Sequence, residues 1–185
     1  MNTESVNALI QLKAFARIAG LKMAVLWTIS FACFAAQFHW AGFGVLWLLS
    51  IPLIPFYQAR LAAAYRNGVG GALSFRRAWL LCVYTFFYAA ILFALVQYVY
   101  FAFIDRGTII SQYVSILSDP AYAALLKAYG YSAADVKELI AQITQVKPIG
   151  IALNCMVSNI IAGLVLALPV AALAKRTATG SQQEQ

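Results

Sequence analysis

The sequence predicts an all-α polytopic membrane protein, a four-transmembrane-helix bundle with amphipathic periplasmic helices between spans 3 and 4. Three observations carry this. The chain is 63% hydrophobic and only 10% charged, with a mean hydropathy of +0.79. A soluble domain carries about a quarter charged residues, so this chain has too few charges to solvate a globular surface. Four apolar stretches, about residues 19–38, 43–64, 78–104 and 149–174, each reach the length of about 20 residues that a spanning helix needs. The basic residues gather at one end of these runs.

That asymmetry sets the expected orientation. Lys13, Arg17 and Lys22 flank the start of the first span, Arg60, Arg66, Arg76 and Arg77 the connection between the second and third, and Lys175 and Arg176 the end of the fourth. Nine of the thirteen basic residues thus lie on one side, opposed there only by Glu4 and Glu184. The side rich in Lys and Arg is the cytoplasmic one, so both termini are expected in the cytoplasm of a bacterial inner membrane. On the other side Arg106, Lys127, Lys137 and Lys147 are offset by Asp105, Asp119, Asp135 and Glu138. The net charge of +7 forms no basic stripe, and a nucleic-acid partner is not expected.

The first apolar run exceeds the core of a cleavable signal peptide, and it is read as a retained span. Ser5–Arg17 (SVNALIQLKAFAR) mixes apolar and basic residues at helical spacing. It is either an interfacial helix or an extension of the first span. His39-Trp40-Ala41-Gly42 forms a tight hairpin with its rings at the water boundary. Pro52 and Pro55 fall inside the second run, where a membrane helix tolerates proline as a kink; a kink near Pro52 is expected. Tyr65–Arg77 is a glycine-bearing turn with basic anchors. Gly68, Gly70 and Gly71 lack the lysine-serine/threonine ending or the strand-to-helix context of a phosphate loop.

The insert from Asp105 to Lys147 reads as short helices. Ile109, Ile110, Tyr113, Val114 and Leu117 share one face. Asp119-Pro120 is a start signal, with Asp as cap and Pro at the first helical position. Gly130 is a stop, and Ser132 to Asp135 forms a capping box with Asp in place of Glu. Its apolar faces must meet the bilayer surface, the other helices or a partner. Residues 1–176 form a single membrane domain on this reading, followed by a polar cytoplasmic tail at 177–185.

Chemistry is sparse. His39 has no carboxylate near it in sequence, and Cys33, Cys82 and Cys155 sit in separate apolar runs without metal-ligand spacing. No serine, cysteine or aspartate lies in a nucleophile motif. No catalytic residue, cofactor or metal is assigned, and enzyme activity is not expected. The spans carry almost no ionisable residue of the kind that marks an ion or proton path.

Two features remain as candidate sites. Arg66, Arg76 and Arg77 cluster around the glycine turn and are candidate contacts for a lipid phosphate. In the fourth span Gly150, Asn154, Ser158 and Ala162 recur every four residues with Asn159 and Gly163 beside them, a candidate polar helix seam, and Gln97 of the third span and Gln37 at the end of the first are candidate partners. The expected partners are membrane lipids and either a membrane protein or further copies of the chain.

The layout, strongest over Gly68–Phe75 with the third span and over Pro148–Lys175, resembles the bacterial membrane family labelled domain of unknown function 4199. The resemblance implies no activity and no functional residues. It does imply an association with polyprenyl-phosphate-type glycosyltransferases, near which members are often encoded. The function expected is a non-catalytic scaffold or accessory partner in envelope glycan or lipid assembly. The alternative is a lipid or small-molecule carrier or a channel.

Overall fold

The computed structural model describes residues 3–175, and over these the protein is helical. Arg176, Glu184 and the 177–185 tail lie outside the described residues. Seven α-helices follow one another: α1 (Thr3–Ala36), α2 (Gly42–Gly68), α3 (Phe75–Val99), α4 (Thr108–Ser118), α5 (Pro120–Ala128), α6 (Ala133–Thr144) and α7 (Pro148–Ala174). A π-helical turn, Tyr100–Ile104, prolongs α3. Four segments, Val6–Ala36, Gly42–Gly68, Phe75–Ile104 and Pro148–Ala174, are long and apolar enough to cross a membrane.

The helix bounds refine the sequence reading. Residues 5–17 are not a separate helix but the beginning of α1, which runs without a break for 34 residues. The reason lies in packing: Leu12 and Ala16 of this segment are buried in a core with residues of α2, α3 and α7. α2 likewise continues as one helix through Pro52 and Pro55. Each proline removes one main-chain donor, and Ser50, two residues before the first, bonds both within α2 and across to α1. Ser50 donates to the Trp47 carbonyl at 2.6 Å, and its oxygen lies 2.5 Å from the Ser30 hydroxyl on α1.

By contacts the chain divides into two compact units, Met1–Ala94 with Met156–Gln185, and Leu95–Cys155. In the first, small residues bring helices close, a mode of packing that membrane helices use. A Cβ at Gly20 of α1 would stand 2.6 Å from the Tyr88 Cβ of α3. A Cβ at Gly163 of α7 would stand 2.6 Å from the Phe86 Cβ of α3. Around these contacts Met23, Trp27, Leu61, Cys82, Phe86, Ala167 and Val170 form a buried apolar cluster. Trp27 stacks on Phe86 with centroids 6.0 Å apart and meets the edge of Phe93 at 5.7 Å.

In the second unit α4 packs on α5 and α6. Its organising residue is Asp105, 4% exposed. The carboxylate accepts from the amides of Gly107 and Ile109, each at 3.1 Å, and from the Tyr100 hydroxyl at 3.5 Å. It thereby answers amide groups at the start of α4 that have no partner within the helix. The chain turns there through Arg106 and Gly107, both at positive φ (50° and 87°). Asp119 caps α5 through the Ala121 amide at 2.8 Å, as its sequence signal predicts. At α6 both arms of the Ser132–Asp135 box are formed. α5 and α6 bury no residue, and Tyr122, Leu125, Tyr129 and Leu139 remain exposed.

Candidate functional site: a basic rim around one core

At one end of the first unit a second buried core gathers Leu12 and Ala16 of α1, Ala62 and Tyr65 of α2, Leu73, Ala78 and Leu81 at the start of α3, and Ala171 and Ala174 of α7. Each of the four helices places a cation next in sequence to a residue of this core: Lys13 after Leu12, Arg66 after Tyr65, Arg77 before Ala78 and Lys175 after Ala174. The arrangement follows from the sequence. Each apolar run ends in Lys or Arg on the same side, and the core is built where those ends meet.

The four cations are held differently. The Lys13 ammonium stands over the Tyr84 ring, 5.3 Å from its centroid, a cation–π geometry. The Arg66 guanidinium donates to the Ala174 carbonyl at 3.0 Å. Arg77 is exposed and is the charged neighbour of the Tyr65 hydroxyl. Arg76 and Lys175 are exposed as well. Of the three arginines singled out in the sequence, Arg66 is therefore engaged in the structure, while Arg76 and Arg77 are exposed.

The glycine turn shapes this rim. α2 closes through bonds from Val69 to the Tyr65 carbonyl (3.1 Å) and from Gly71 to the Arg66 carbonyl (2.9 Å). Gly70 and Gly71 take φ of 92° and 83°, a region open to glycine and strained for other residues. Ser74 then caps α3, its hydroxyl accepting from the Arg77 amide at 3.4 Å. The rim thus joins the amino end of α3, which favours an anion, to the side chains of Arg76 and Arg77.

Charge balance sharpens the picture. The sequence of this unit contains nine basic residues and two acidic ones, Glu4 and Glu184. The unit cannot neutralise its cations internally.

The candidate polar seam has a different placement. Asn154 and Ser158 are exposed, Gly150 and Asn159 are half-buried, and among the described residues none of these side chains makes a hydrogen bond within the chain. The face of α7 that packs carries Gly163, Ala167, Val170, Ala171 and Ala174. Gln97 is buried at 5% exposure beside the Cys155 thiol.

His39 is exposed at the hairpin. Among the described residues no group of three or more His, Cys, Asp or Glu side chains is placed to hold a metal ion.

One residue that sequence reasoning passed over is Gln58, fully buried on α2 among apolar neighbours. Its signal was plain enough, a single amide inside the second apolar run.

No curated protein and no solved structure matches the chain. The family model does, over residues 18–176, which takes in all four apolar helices but the first turns of α1, and on that match the chain belongs to the family described as protein of unknown function, DUF4199.

Proposed function

We propose that this chain is a non-catalytic, multi-pass protein of the bacterial inner membrane that engages anionic lipid phosphate at its cytoplasmic face and serves as an accessory partner in envelope glycan or lipid assembly. The observation that carries the reading is the rim of cations around one core, in a unit with nine basic and two acidic residues. Anionic headgroups on the cytoplasmic leaflet supply the missing negative charge, and Lys and Arg favour that side of a membrane. Both termini then lie in the cytoplasm, and α4–α6 lie on the periplasmic side. There the exposed Tyr122, Leu125, Tyr129 and Leu139 offer apolar surface to the membrane interface or to a partner protein. The glycosyltransferase association implied by the resemblance fits a lipid-linked sugar as the phosphate-bearing molecule.

Arg76 and Arg77 are the residues assigned to the phosphate, and Arg66 orients the rim. Each cation near an anionic surface contributes about 1 kcal/mol, so the pair raises occupancy roughly thirtyfold. The test is native mass spectrometry of the Arg76→Gln/Arg77→Gln double variant, after its orientation has been checked by cysteine labelling on intact cells. Retention of anionic lipid should fall while neutral lipid stays constant. Equal retention of both would leave these arginines as topology anchors. Crosslinking in native membranes tests the accessory role, and recovery of the chain alone in mild detergent counts against it.

A second reading, a lipid or small-molecule carrier or a channel assembled from several copies, draws on one observation. Asn154 and Ser158 are exposed on an apolar helix without a partner in the chain, where a polar path or an interface between copies has use for them. A chain that is monomeric in bilayers and passes no solute removes this reading.

A further inference from the structure

The insert between the third and fourth apolar spans carries apolar surface that its own helices do not cover. α5 and α6 bury no residue. Along α5 and its C-cap, Tyr122, Leu125 and Tyr129 follow at intervals of three and four residues and so share one face. They are 46%, 49% and 76% exposed. Lys127 falls on the opposite face, since successive helical residues turn by about 100°. Tyr113 and Ile116 of α4 and Tyr131 after α5 are exposed as well. Rings and leucine on one side with lysine on the other suit a helix that lies in a membrane interface.

Such faces also meet proteins, so the occupant has to be read from how the insert is attached. The tethers are short. Asp105–Gly107 joins Ile104 to α4, and residues 145–147 join α6 to α7. Three extended residues span about 10 Å, so both ends of the insert stay near the ends of the apolar spans. At the first tether the chain turns off the span, through Arg106 and Gly107 at positive φ.

The apolar character also runs through the tethers. Phe103 and Ile104 before the first, and Val146 and Ile149 at the second, are exposed and belong to the same compact unit as the insert. The Asp105 carboxylate does not interrupt them, because it is buried and bonded to the amides of Gly107 and Ile109. Residues 105–147 hold four basic and four acidic side chains. A neutral insert suits a surface held by apolar and aromatic contact. Arg106 and Lys147, the cations of the two tethers, are both exposed. One stands at each span end, where such side chains reach lipid headgroups.

We propose that α4–α6 lie on the bilayer as an interfacial cap, with Tyr122, Leu125 and Tyr129 set into the boundary between lipid headgroups and acyl chains. The occupant of this face is the lipid surface, not a second protein. This placement rests on the multi-pass reading above and deepens it by committing the face to lipid.

The test uses the full-length wild type in phosphatidylcholine nanodiscs, observed by NMR. A nitroxide near the head of the acyl chain broadens side chains at the interface, and a water-soluble gadolinium chelate broadens those in solvent. The Leu125 methyls and the Tyr122 and Tyr129 rings should lose most of their signal to the nitroxide and little to the chelate, and the Lys127 side chain should do the reverse. Loss to the chelate alone places the face in water and overturns the cap. Loss to neither reagent means that protein covers the face, and overturns it as well. A nitroxide deep in the acyl chain supplies the control at the Ile161 and Leu164 methyls, exposed on α7. If those lose signal while Leu125 responds to neither nitroxide, the cap alone falls and the multi-pass reading stands. If they keep it, both fall. Added phosphatidylglycerol should leave the Leu125 loss unchanged, because the insert is neutral. A loss seen only with the anionic lipid overturns apolar contact as its cause.

Discussion

The Arg66 guanidinium donates to the Ala174 carbonyl at 3.0 Å, so the last turn of α2 closes the last turn of α7. A helix end leaves carbonyls without partners, and a cation there also meets the negative end of the helix dipole. Arg66→Gln is expected to lower stability by about 1 kcal/mol. Hydrogen exchange should rise at the end of α7, where the Lys175 amide bonds the Ala171 carbonyl at 3.0 Å. Arg76→Gln, at an exposed position, should leave both unchanged. Equal loss in the two variants would show that charge, not the bond to Ala174, governs this end.

The glycines of the packed helices predict a second contrast. Adding a Cβ at Gly163 or Gly20 brings it to 2.6 Å from Phe86 or Tyr88. Gly163→Ala and Gly20→Ala are each expected to cost about 1–3 kcal/mol through overpacking. At Gly150 the nearest atom is the Val146 Cγ1 at 3.4 Å, and Gly150→Ala should be neutral or stabilising by about 0.5–1 kcal/mol because a helical glycine is replaced. Unfolding in detergent by a denaturing surfactant ranks the three variants. A Gly150→Ala loss as large as that of Gly163→Ala would move the packed face to the Asn154 side of α7.

These contrasts mark what a reader of the sequence can and cannot see. The helix starts at Asp119 and Ser132 were legible because a short polar side chain in front of an apolar run has one efficient use, answering free amides. The packed face of α7 was legible only at Gly163. In an apolar helix the protein-facing and lipid-facing sides are alike in hydropathy, so polarity does not distinguish them, and small size becomes the better guide. Gly163, Ala167, Ala171 and Ala174 carry that signal, and the more conspicuous Asn154 and Ser158 lie on another face. The basic rim was readable as a cluster of arginines. Its division of labour was not, since the bond from Arg66 to Ala174 joins residues 108 apart in the chain.

Asp105 offers a test within the second unit. Its carboxylate is buried and accepts from the amides of Gly107 and Ile109. Asp105→Ala leaves those donors unanswered, at a cost of about 2 kcal/mol. Asp105→Asn keeps one acceptor oxygen and should fall between the variant and the wild type. Hydrogen exchange over residues 107–112 is the direct readout. Protection unchanged in Asp105→Ala would mean that α4 is held without this cap.

The capping box of α6 makes the last expectation, one of pH. The Ser132 amide donates to the Asp135 carboxylate at 2.7 Å, and the Asp135 amide donates to the Ser132 hydroxyl at 3.2 Å. The bond from the Ser132 backbone, and secondarily the interaction with its side chain, favours the ionised carboxylate and holds the Asp135 pKa below its ordinary value of 3.8. The sign follows from linkage. A depressed carboxyl contributes stability that is present above 3.8 and is lost as pH falls through the lower folded value. The amide resonance of Ser132 in the full chain, in micelles, should therefore move with an inflection below 3.8. Ser132→Ala removes the side-chain arm and keeps the backbone one, so the inflection, followed at residue 132 in that variant, should rise part of the way toward 3.8. An inflection at or above 3.8 in the wild type would show that the box is open in solution. Asp135→Asn should then change nothing at the start of α6, whereas with the box closed it should increase exchange at Ser132.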